Sequence, residues 1–566
     1  MPPTTSNLSF VAGSTAVPLQ HRTVGQALAA AVDRWPDRPA LIVREQGIRW
    51  TYAELAAKAA ETARAFLAVG LRSGDRVGIW SPNCVEWVLA QFATALAGMI
   101  LVNINPAYRT SELRFALRKT GVRMLLLADA FKSSDYVAMM REIVPELALQ
   151  REGLLLSEEF PDLRHLVNLG AAREPGFTPF AQLLTQAPQC DADELRRIAA
   201  ALQPGDAFNI QFTSGTTGTP KGATLTHFNL LNNAYFVAAG MRLKETDKVC
   251  IPVPMYHCFG MVMGVTAAMT HGAASVFPAP SFEAEKVLQC VQEERCTALL
   301  GVPTMFIAEL EHPGFAGFDL SSLRTGIMAG APCPIAVMRK VVEQMHMREI
   351  TICYGMTETS PVSFQSNTDD PLERRVSTVG RVHPHVEVKI IDAQGRTVPR
   401  GTAGELCTRG YSVMRGYWDE PQRTAEAVDE QGWMHTGDLA VLDEEGFCNI
   451  VGRVKDMIIR GGENVYPREI EEFLIKHPKV LDVAVVGVPD ARFGEAVCAV
   501  LRVREGLTCS ESEIQAYCTG QIAHYKVPRY VRFVDEFPMT VTGKVQKFLI
   551  RESVSKELGL TAEATA

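Results

Sequence analysis

The chain has 566 residues, of which 47% are hydrophobic, 21% charged and 8% aromatic. That composition excludes disordered and collagen-like chains, and the length predicts three or four domains or subdomains at about 150 residues each. Lys and Arg number 56 against 64 Asp and Glu, a formal charge of −8, so no basic excess exists to hold nucleic acid.

Thirteen cysteines are scattered from Cys84 to Cys518 without a CxxC pair. This excludes a zinc ribbon or a thioredoxin-type motif and reads as free thiols in a reducing compartment, the cytoplasm. Met1 to Val17 lacks a basic segment followed by an apolar one, so no secretory leader is read. The longest apolar stretch, Trp87 to Val102, is interrupted by Gln91 and Thr94 and is shorter than the roughly 18 residues of a membrane span. It predicts a buried helix running into a strand, and no transmembrane segment is expected. Surface association and homo-oligomer formation stay open.

In chain order, Arg76–Trp80 predicts a strand, Glu86–Ala97 a helix, and Ile100–Val102, Arg123–Leu127 and Ala298–Val302 further strands. Such alternation predicts α/β architecture with largely parallel sheets. Residues 380 to 452 differ. Val386–Ile391, Gly404–Arg409 and Phe447–Val451 are short strands separated by Gly, Asp and Asn turns, predicting a small β-barrel or β-rich subdomain. Beyond Gly452, Pro467–His477 predicts a helix with Pro467 at its start and Glu469, Glu471 and Glu472 in its early turns, followed by a strand at Val480–Val488. The fold class expected is therefore α/β with a β-barrel-like subdomain, in two parts. A large N-terminal domain spans 1–452 and a small α+β C-terminal domain spans 453–566.

Four segments carry candidate chemistry. Thr213-Ser214-Gly215-Thr216-Thr217-Gly218-Thr219-Pro220-Lys221-Gly222 follows an apolar-rich strand, Phe208–Phe212. Its glycines let backbone N–H groups crowd an anion, its hydroxyls donate to phosphate oxygens, and its lysine adds charge. Pro220 and Gly222 exclude a Walker A loop. Tyr354-Gly355-Met356-Thr357-Glu358 follows the strand Ile350–Cys353. Its one carboxylate among hydroxyls suits a Mg²⁺ that keeps waters and phosphates as other ligands, and Tyr354 can stack on a base. In isolation Glu358 would equally serve as a turn cap. Trp433-Met434-His435-Thr436-Gly437-Asp438 places an aspartate where it can accept ribose hydroxyls, with Arg453, Lys455 and Asp456 downstream. Thr542-Gly543-Lys544 offers a lysine in a glycine turn, a type of residue that is usually just solvated.

Together and in this order, the segments resemble the adenylate-forming superfamily of acyl-CoA synthetases, luciferases and peptide-synthetase adenylation domains. The resemblance runs from Thr51-Tyr52-Ala53-Glu54-Leu55 to Gly543-Lys544-Val545-Gln546-Lys547. It also includes Pro254-Met255-Tyr256-His257, Ala329-Gly330-Ala331-Pro332, Gly404-Glu405-Leu406 and Gly452-Arg453. Gln211-Phe212-Thr213, Tyr256-His257-Cys258-Phe259-Gly260 and the run Met457 to Pro467 look most like medium-chain fatty-acyl-CoA synthetases.

The resemblance implies two half-reactions. A fatty acid carboxylate attacks the α-phosphate of ATP, giving acyl-adenylate and pyrophosphate, and coenzyme A then displaces AMP. It implies that Thr213, Ser214, Gly215, Thr216, Thr217 and Lys221 hold the β- and γ-phosphates. Thr357 would bind the α-phosphate and Glu358 the Mg²⁺. Gly330, Ala331, Pro332, Tyr354 and Gly355 would line the adenine slot, and Asp438 would take the ribose with support from Arg453. Lys544 would bridge carboxylate and α-phosphate in the first step. Lys455 would sit at the pivot of a rotating C-terminal domain, where many relatives carry aspartate and some carry lysine. After rotation Arg460, Gly461, Gly462 and Glu463 would face coenzyme A. The acyl pocket would be lined near His257, Phe259, Val302, Met305 and Gly330. Three alternatives share the nucleotide motifs: an adenylation enzyme that loads a separate carrier protein, an oxygenase of the luciferase type, and a non-catalytic nucleotide-binding regulator. Retention of Glu358, Asp438 and Lys544 argues against the last.

Overall fold

The computed structural model describes residues 7–148, 155–170, 174–213, 220–331, 333–460, 463–490, 493–539 and 545–560, with backbone alone at 463–464. They fall into two units, Ala12–Glu387 with Thr408–Met434, and Met1–Val11 with Val388–Cys407 and His435–Ala566.

Two sheets organise the larger unit. In the eight-stranded sheet, Val122–Leu127, Arg76–Trp80, Ile100–Asn103 and Ala207–Thr213 are neighbours in that order, all parallel. Ala207–Thr213 then pairs antiparallel with Lys221–Thr226, Thr213 opposite Lys221. In the nine-stranded sheet Glu349–Gly355, Thr325–Ala329, Ala298–Gly301, Lys248–Cys250, Ala274–Phe277 and Pro39–Val43 follow one another, again parallel. These strands are near-continuous apolar runs because parallel sheets are covered on both faces. The apolar stretch near Trp87 is the expected pair, a buried helix Val85–Ala97 closed by left-handed Gly98 and then the strand Ile100–Asn103. The helix Tyr52–Ala68 packs beside it. Its start is fixed by Thr51 and Glu54: the Thr51 hydroxyl accepts the Glu54 N–H at 3.2 Å, and the Glu54 carboxylate accepts the Thr51 N–H at 2.8 Å. This reciprocal cap explains why that short segment reads so clearly in the sequence.

In the smaller unit a five-stranded sheet runs Phe10–Ala12, Val386–Ile391, Gly404–Gly410, Met434–Leu442, Cys448–Arg453. The β-rich reading of 380–452 is thus a sheet that also recruits a strand from the N-terminus, too short and polar-flanked to be read in sequence. The C-terminal part is α+β. Val480–Asp490 and Gly494–Val503 form a long hairpin, with Tyr530–Phe533 parallel to the latter. Alternate residues of Val480–Asp490 enter opposite cores. Val483 and Val485 pack with Ile470 and Leu501, while Ala484, Val486 and Val488 pack with Ile550 and Val554. The sheet is therefore covered on both faces, as period-two alternation of side chains allows.

Several boundaries differ from expectation by one to three residues, and two bear on the site. The helix begun by Pro467 ends at Leu474, and the strand Ala298–Gly301 stops before Val302 because Val302 caps the helix Pro303–Leu310. The strand Cys448–Arg453 continues across 452–453. Arg468 of the following helix donates to the Ile450 carbonyl at 2.6 Å.

Candidate active site

In parallel sheets the carboxyl ends of the strands leave a common edge, where α/β proteins place ligands. In the nine-stranded sheet that edge carries Val302 after Gly301, Gly330 after Ala329, and the turn Thr357–Thr359 after Gly355. The segment Ile251–Cys258, with His257, follows Cys250. The described acyl and adenine candidates of the sequence reading, with Thr357, thus lie at or beyond the carboxyl ends of strands of one sheet. Two glycines are required there. Gly330 has φ +88°, and a Cβ on Gly355 would lie 1.8 Å from the Pro361 carbonyl oxygen, a clash that only glycine avoids.

Glu358 is the focus of this edge. It is buried, at 4% exposure. Its Oε1 accepts two hydroxyls, Thr213 at 3.1 Å and Tyr417 at 2.9 Å, and its carbonyl accepts the Met414 N–H at 2.8 Å. Thr213 ends one strand of the phosphate-loop hairpin and Lys221 begins the other. The Lys221 Nζ lies 4.8 Å from the Tyr417 ring centroid, within cation–π range. Tyr417 therefore serves both partners, its hydroxyl on the carboxylate and its face on the ammonium. Burial, and then the Glu358 charge, push the Tyr417 phenol well above its ordinary value, so it stays a donor. Burial and Glu358 likewise push the Cys258 thiol up. A cap would need no such cradle; the arrangement is one that orients a carboxylate. Charge-assisted bonds to one oxygen leave the other for a cation.

The His257 segment is held by a chain of buried amides. Asn83 accepts the Met255 N–H at 2.7 Å and donates to the Val253 carbonyl at 3.0 Å. Asn103 donates to the Tyr256 carbonyl at 3.0 Å, Asn209 donates to Asn103 at 2.8 Å, and Gln211 donates to Asn209 at 2.9 Å. His257 Nδ1 accepts the Phe259 N–H at 3.1 Å. From there Phe259–Thr266 winds as a π-helix, with Thr266 donating to the Met261 carbonyl at 2.8 Å. π-Helical turns are rare and concentrate at functional sites. Phe259, Val302 and Ala329 share one apolar cluster, against which Met305 and Tyr256 pack.

In the smaller unit Asp438 and Arg453 are register partners, and Arg453 Nε lies 3.2 Å from Asp438 Oδ1. Asp438 is 9% exposed and Arg453 60% at its side chain. The turn before Asp438 is fastened by Glu405: Oε1 accepts the Gly437 N–H at 3.2 Å and Oε2 lies 3.2 Å from His435 Nδ1. Thr436 donates to the Leu406 carbonyl at 2.7 Å and accepts the Asp438 N–H at 3.1 Å. Lys455 lies in an exposed turn whose Asp456 and Met457 N–H groups both bond the Arg453 carbonyl. Arg460 donates to the Tyr525 carbonyl at 2.7 Å and pairs across a hairpin with Glu463.

Several candidates lie outside the described residues: Ser214, Gly215, Thr216, Thr217, Pro332, Gly461, Gly462 and Lys544, together with the Glu463 side chain. The flanks of Lys544 are described, and there Met539 pairs with Val545 while Gln546 N–H bonds the Pro538 carbonyl at 2.8 Å. Sequence reasoning assigned no role to Tyr417, to Glu405 or to the amide chain. Polar residues two apart in an otherwise buried strand, Asn209 and Gln211, were the available signal.

Comparison with known proteins agrees with this geometry. Residues 28–418 match the family described as AMP-binding enzyme, and residues 469–544 match the AMP-binding enzyme C-terminal domain. The chain is 47% identical to a Bacillus subtilis (strain 168) protein named acyl-CoA synthetase YngI, over 96% of this chain and 99% of that one. It is also 47% identical to the mitochondrial medium-chain acyl-CoA ligase ACSF2 of Danio rerio, over 98% and 92% of the two chains. Among solved structures, ATP-bound MatB from Rhodopseudomonas palustris superposes with a TM-score of 0.79 at 30% identity, covering 94% of this chain and 99% of that one. The chain belongs to the AMP-binding enzyme family of adenylate-forming enzymes, in its acyl-CoA synthetase branch.

Proposed function

We infer that the protein activates a medium-chain fatty acid as acyl-AMP at the expense of ATP and passes the acyl group to coenzyme A, releasing AMP and pyrophosphate. The observation that carries the reading is the Glu358 cradle, a buried carboxylate held by Thr213 and Tyr417 beside Lys221 at the ends of the parallel strands. Glu358 fits Mg²⁺, since both described hydroxyl bonds fall on Oε1. The ion, when bound, supplies charge neutralisation for the phosphates.

The chain's own groups do the rest. Thr213 and Lys221 take the β- and γ-phosphates with the loop between them, and Thr357 takes the α-phosphate. A carboxylate is a poor acyl donor, and conversion to a mixed anhydride gives it AMP as leaving group. Negative charge accumulates in that step, so fixed donors and cations dominate its catalysis. Lys544 is assigned to the first step and Arg460 to Glu463 to coenzyme A, with Lys455 as pivot and a domain boundary at 452/453. Gly330, Tyr354 and Asp438 with Arg453 are assigned to the nucleoside. The apolar residues Phe259, Met261, Val302 and Met305 favour an aliphatic tail. The thirteen cysteines are all free thiols, which supports a reducing compartment. Among the described residues no helix is long and apolar enough to cross a membrane.

The test is an acid panel from acetate to stearate, with aryl and branched acids, scored for AMP and acyl-CoA. The expected result is coenzyme A-dependent thioester formation that peaks at intermediate chain lengths. Adenylate without thioester would favour transfer to a carrier protein, and no adenylate with any acid would overturn the reading.

A further inference from the structure

Beside the Asp438 turn, Glu405, Cys407 and His435 bring one carboxylate, one thiol and one imidazole together, their ligand atoms all within 4.8 Å of one another. Cys407 Sγ lies 3.6 Å from His435 Nδ1, and His435 Nδ1 lies 3.2 Å from Glu405 Oε2. A tetrahedral zinc ion bound at about 2.3 Å to sulfur and about 2.0–2.1 Å to nitrogen and oxygen sets its ligands about 3.6 Å apart for S···N and about 3.3 Å for N···O. The Cys407–His435 and His435–Glu405 pairs already stand at those separations.

We propose that Glu405, Cys407 and His435 form a binding site for a single zinc-type divalent cation. Burial grades across the cluster. Cys407 is fully buried, while the side chains of His435 and Glu405 are 33% and 26% exposed. An ion therefore enters from the His–Glu side, and its fourth position faces solvent for a water. The charges close as well: thiolate and carboxylate neutralise a dication. The donor set combines one soft, one borderline and one hard ligand, which favours zinc or cobalt over magnesium. Glu405 can serve without losing its present bond, because Oε1 holds the Gly437 N–H and Oε2 faces the site. Coordination requires the Cys407 thiol to release its proton to solvent, and His435 to carry its remaining N–H on Nε2. Binding thus tightens as pH rises. Glu358 is instead held by the Thr213 and Tyr417 hydroxyls, a setting of hard oxygen donors.

The experiment uses the full chain, freed of metal by chelation, kept in magnesium buffer and titrated with Co²⁺. The expected result is one equivalent bound per chain, with visible tetrahedral bands and a near-ultraviolet thiolate-to-cobalt band, both abolished by stoichiometric Zn²⁺. Cys407→Ser loses the thiolate band. His435→Gln, which alters a partly exposed side chain and leaves the core intact, weakens binding by at least the roughly 10- to 100-fold that loss of a mere supporting residue costs. Cys290→Ala and Cys509→Ala serve as controls for the two other clusters that contain a thiol, Cys250 with Cys290 and Cys296, and Cys509 with His477 and Glu513, and each leaves the spectrum unchanged. The proposal is overturned if the parent gives no thiolate band at one equivalent. It is equally overturned if the band survives in Cys407→Ser, or disappears in Cys290→Ala or Cys509→Ala.

Discussion

Tyr417→Phe tests the cradle directly. The substitution deletes one oxygen, keeps the ring beneath Lys221, and leaves Glu358, among the described residues, with the Thr213 hydroxyl on its Oε1. A hydrogen bond to a charged group contributes about 1.5–3 kcal/mol. If that energy orients the carboxylate for its cation, the adenylation rate should fall about 10- to 150-fold. The Mg²⁺ concentration needed for half-maximal rate should rise with it, because the lost bond held the ligand atom's carboxylate in place. Thr213→Val should act on the same oxygen, so the double variant should cost less than the sum of the two. Glu358→Gln, which keeps the shape and removes the charge, should cost more than either. The assay is pyrophosphate release against Mg²⁺ at saturating acid and ATP, with thermal unfolding run in parallel to exclude a folding defect. A Tyr417→Phe enzyme with parental rate and parental Mg²⁺ dependence would refute the claim that the phenol positions Glu358.

Lys544→Ala should lose roughly two to four decades in adenylate formation, while thioester formation from presynthesised acyl-adenylate survives; equal loss in both would remove it from the first step. Lys455 is the third residue of a turn closed by Arg453 O and Asp456 N, and proline there forces Val454 out of its turn conformation. Lys455→Pro should therefore depress acyl-CoA formation steeply in a single-turnover quench, whereas Lys455→Ala stays near the parent. A parental rate in the proline variant would place the pivot elsewhere. His227 accepts the Val24 N–H, and burial lowers its pKa from 6.5 to about 4. It is neutral in the folded state, so its contribution is complete above about pH 6.5 and is lost as pH falls toward 4, amounting to about 3 kcal/mol. His227→Gln should flatten urea stability between pH 6.5 and 4.5, and an unchanged slope would show that the histidine does not govern acid sensitivity.

The large elements were legible because each one carries its own signal. Arg76–Trp80 and Val386–Ile391 are uninterrupted or alternating apolar runs, and Val85–Ala97 is apolar with a glycine stop, so local chemistry suffices to place them. The nucleotide motifs were legible for the same reason, being short and self-contained. What could not be read depends on partners far apart in sequence. Tyr417 meets Glu358 across 59 positions and Thr213 meets it across 145. Asn103 and Asn209 look like defects in apolar strands, and Asn83 like a turn residue, until the fold brings Asn209 onto Asn103 and sets Asn83 and Asn103 on the Val253 and Tyr256 carbonyls. The π-helix was invisible because Phe259–Thr266 is buried on every side, and a segment with no polar face has no period to read.

That helix has a consequence for how the apolar cluster around it, the acyl pocket proposed above, can be altered. A π-turn holds one residue more than an α-turn needs, so Phe259–Thr266 carries surplus backbone inside a packed core. Deleting a single residue there lets the segment relax to ordinary winding without tearing its ends away. Upstream, the Asn83 and Asn103 bonds keep the His257 segment fixed. Downstream, Gln91 donates to Thr266 at 2.9 Å. Between those two anchors, the side chains turn about the axis by about 100° per residue removed. Length variation at this point is therefore a rotary adjustment: it re-aims Phe259, Met261, Val262 and Met263 within the apolar cluster they share with Val302.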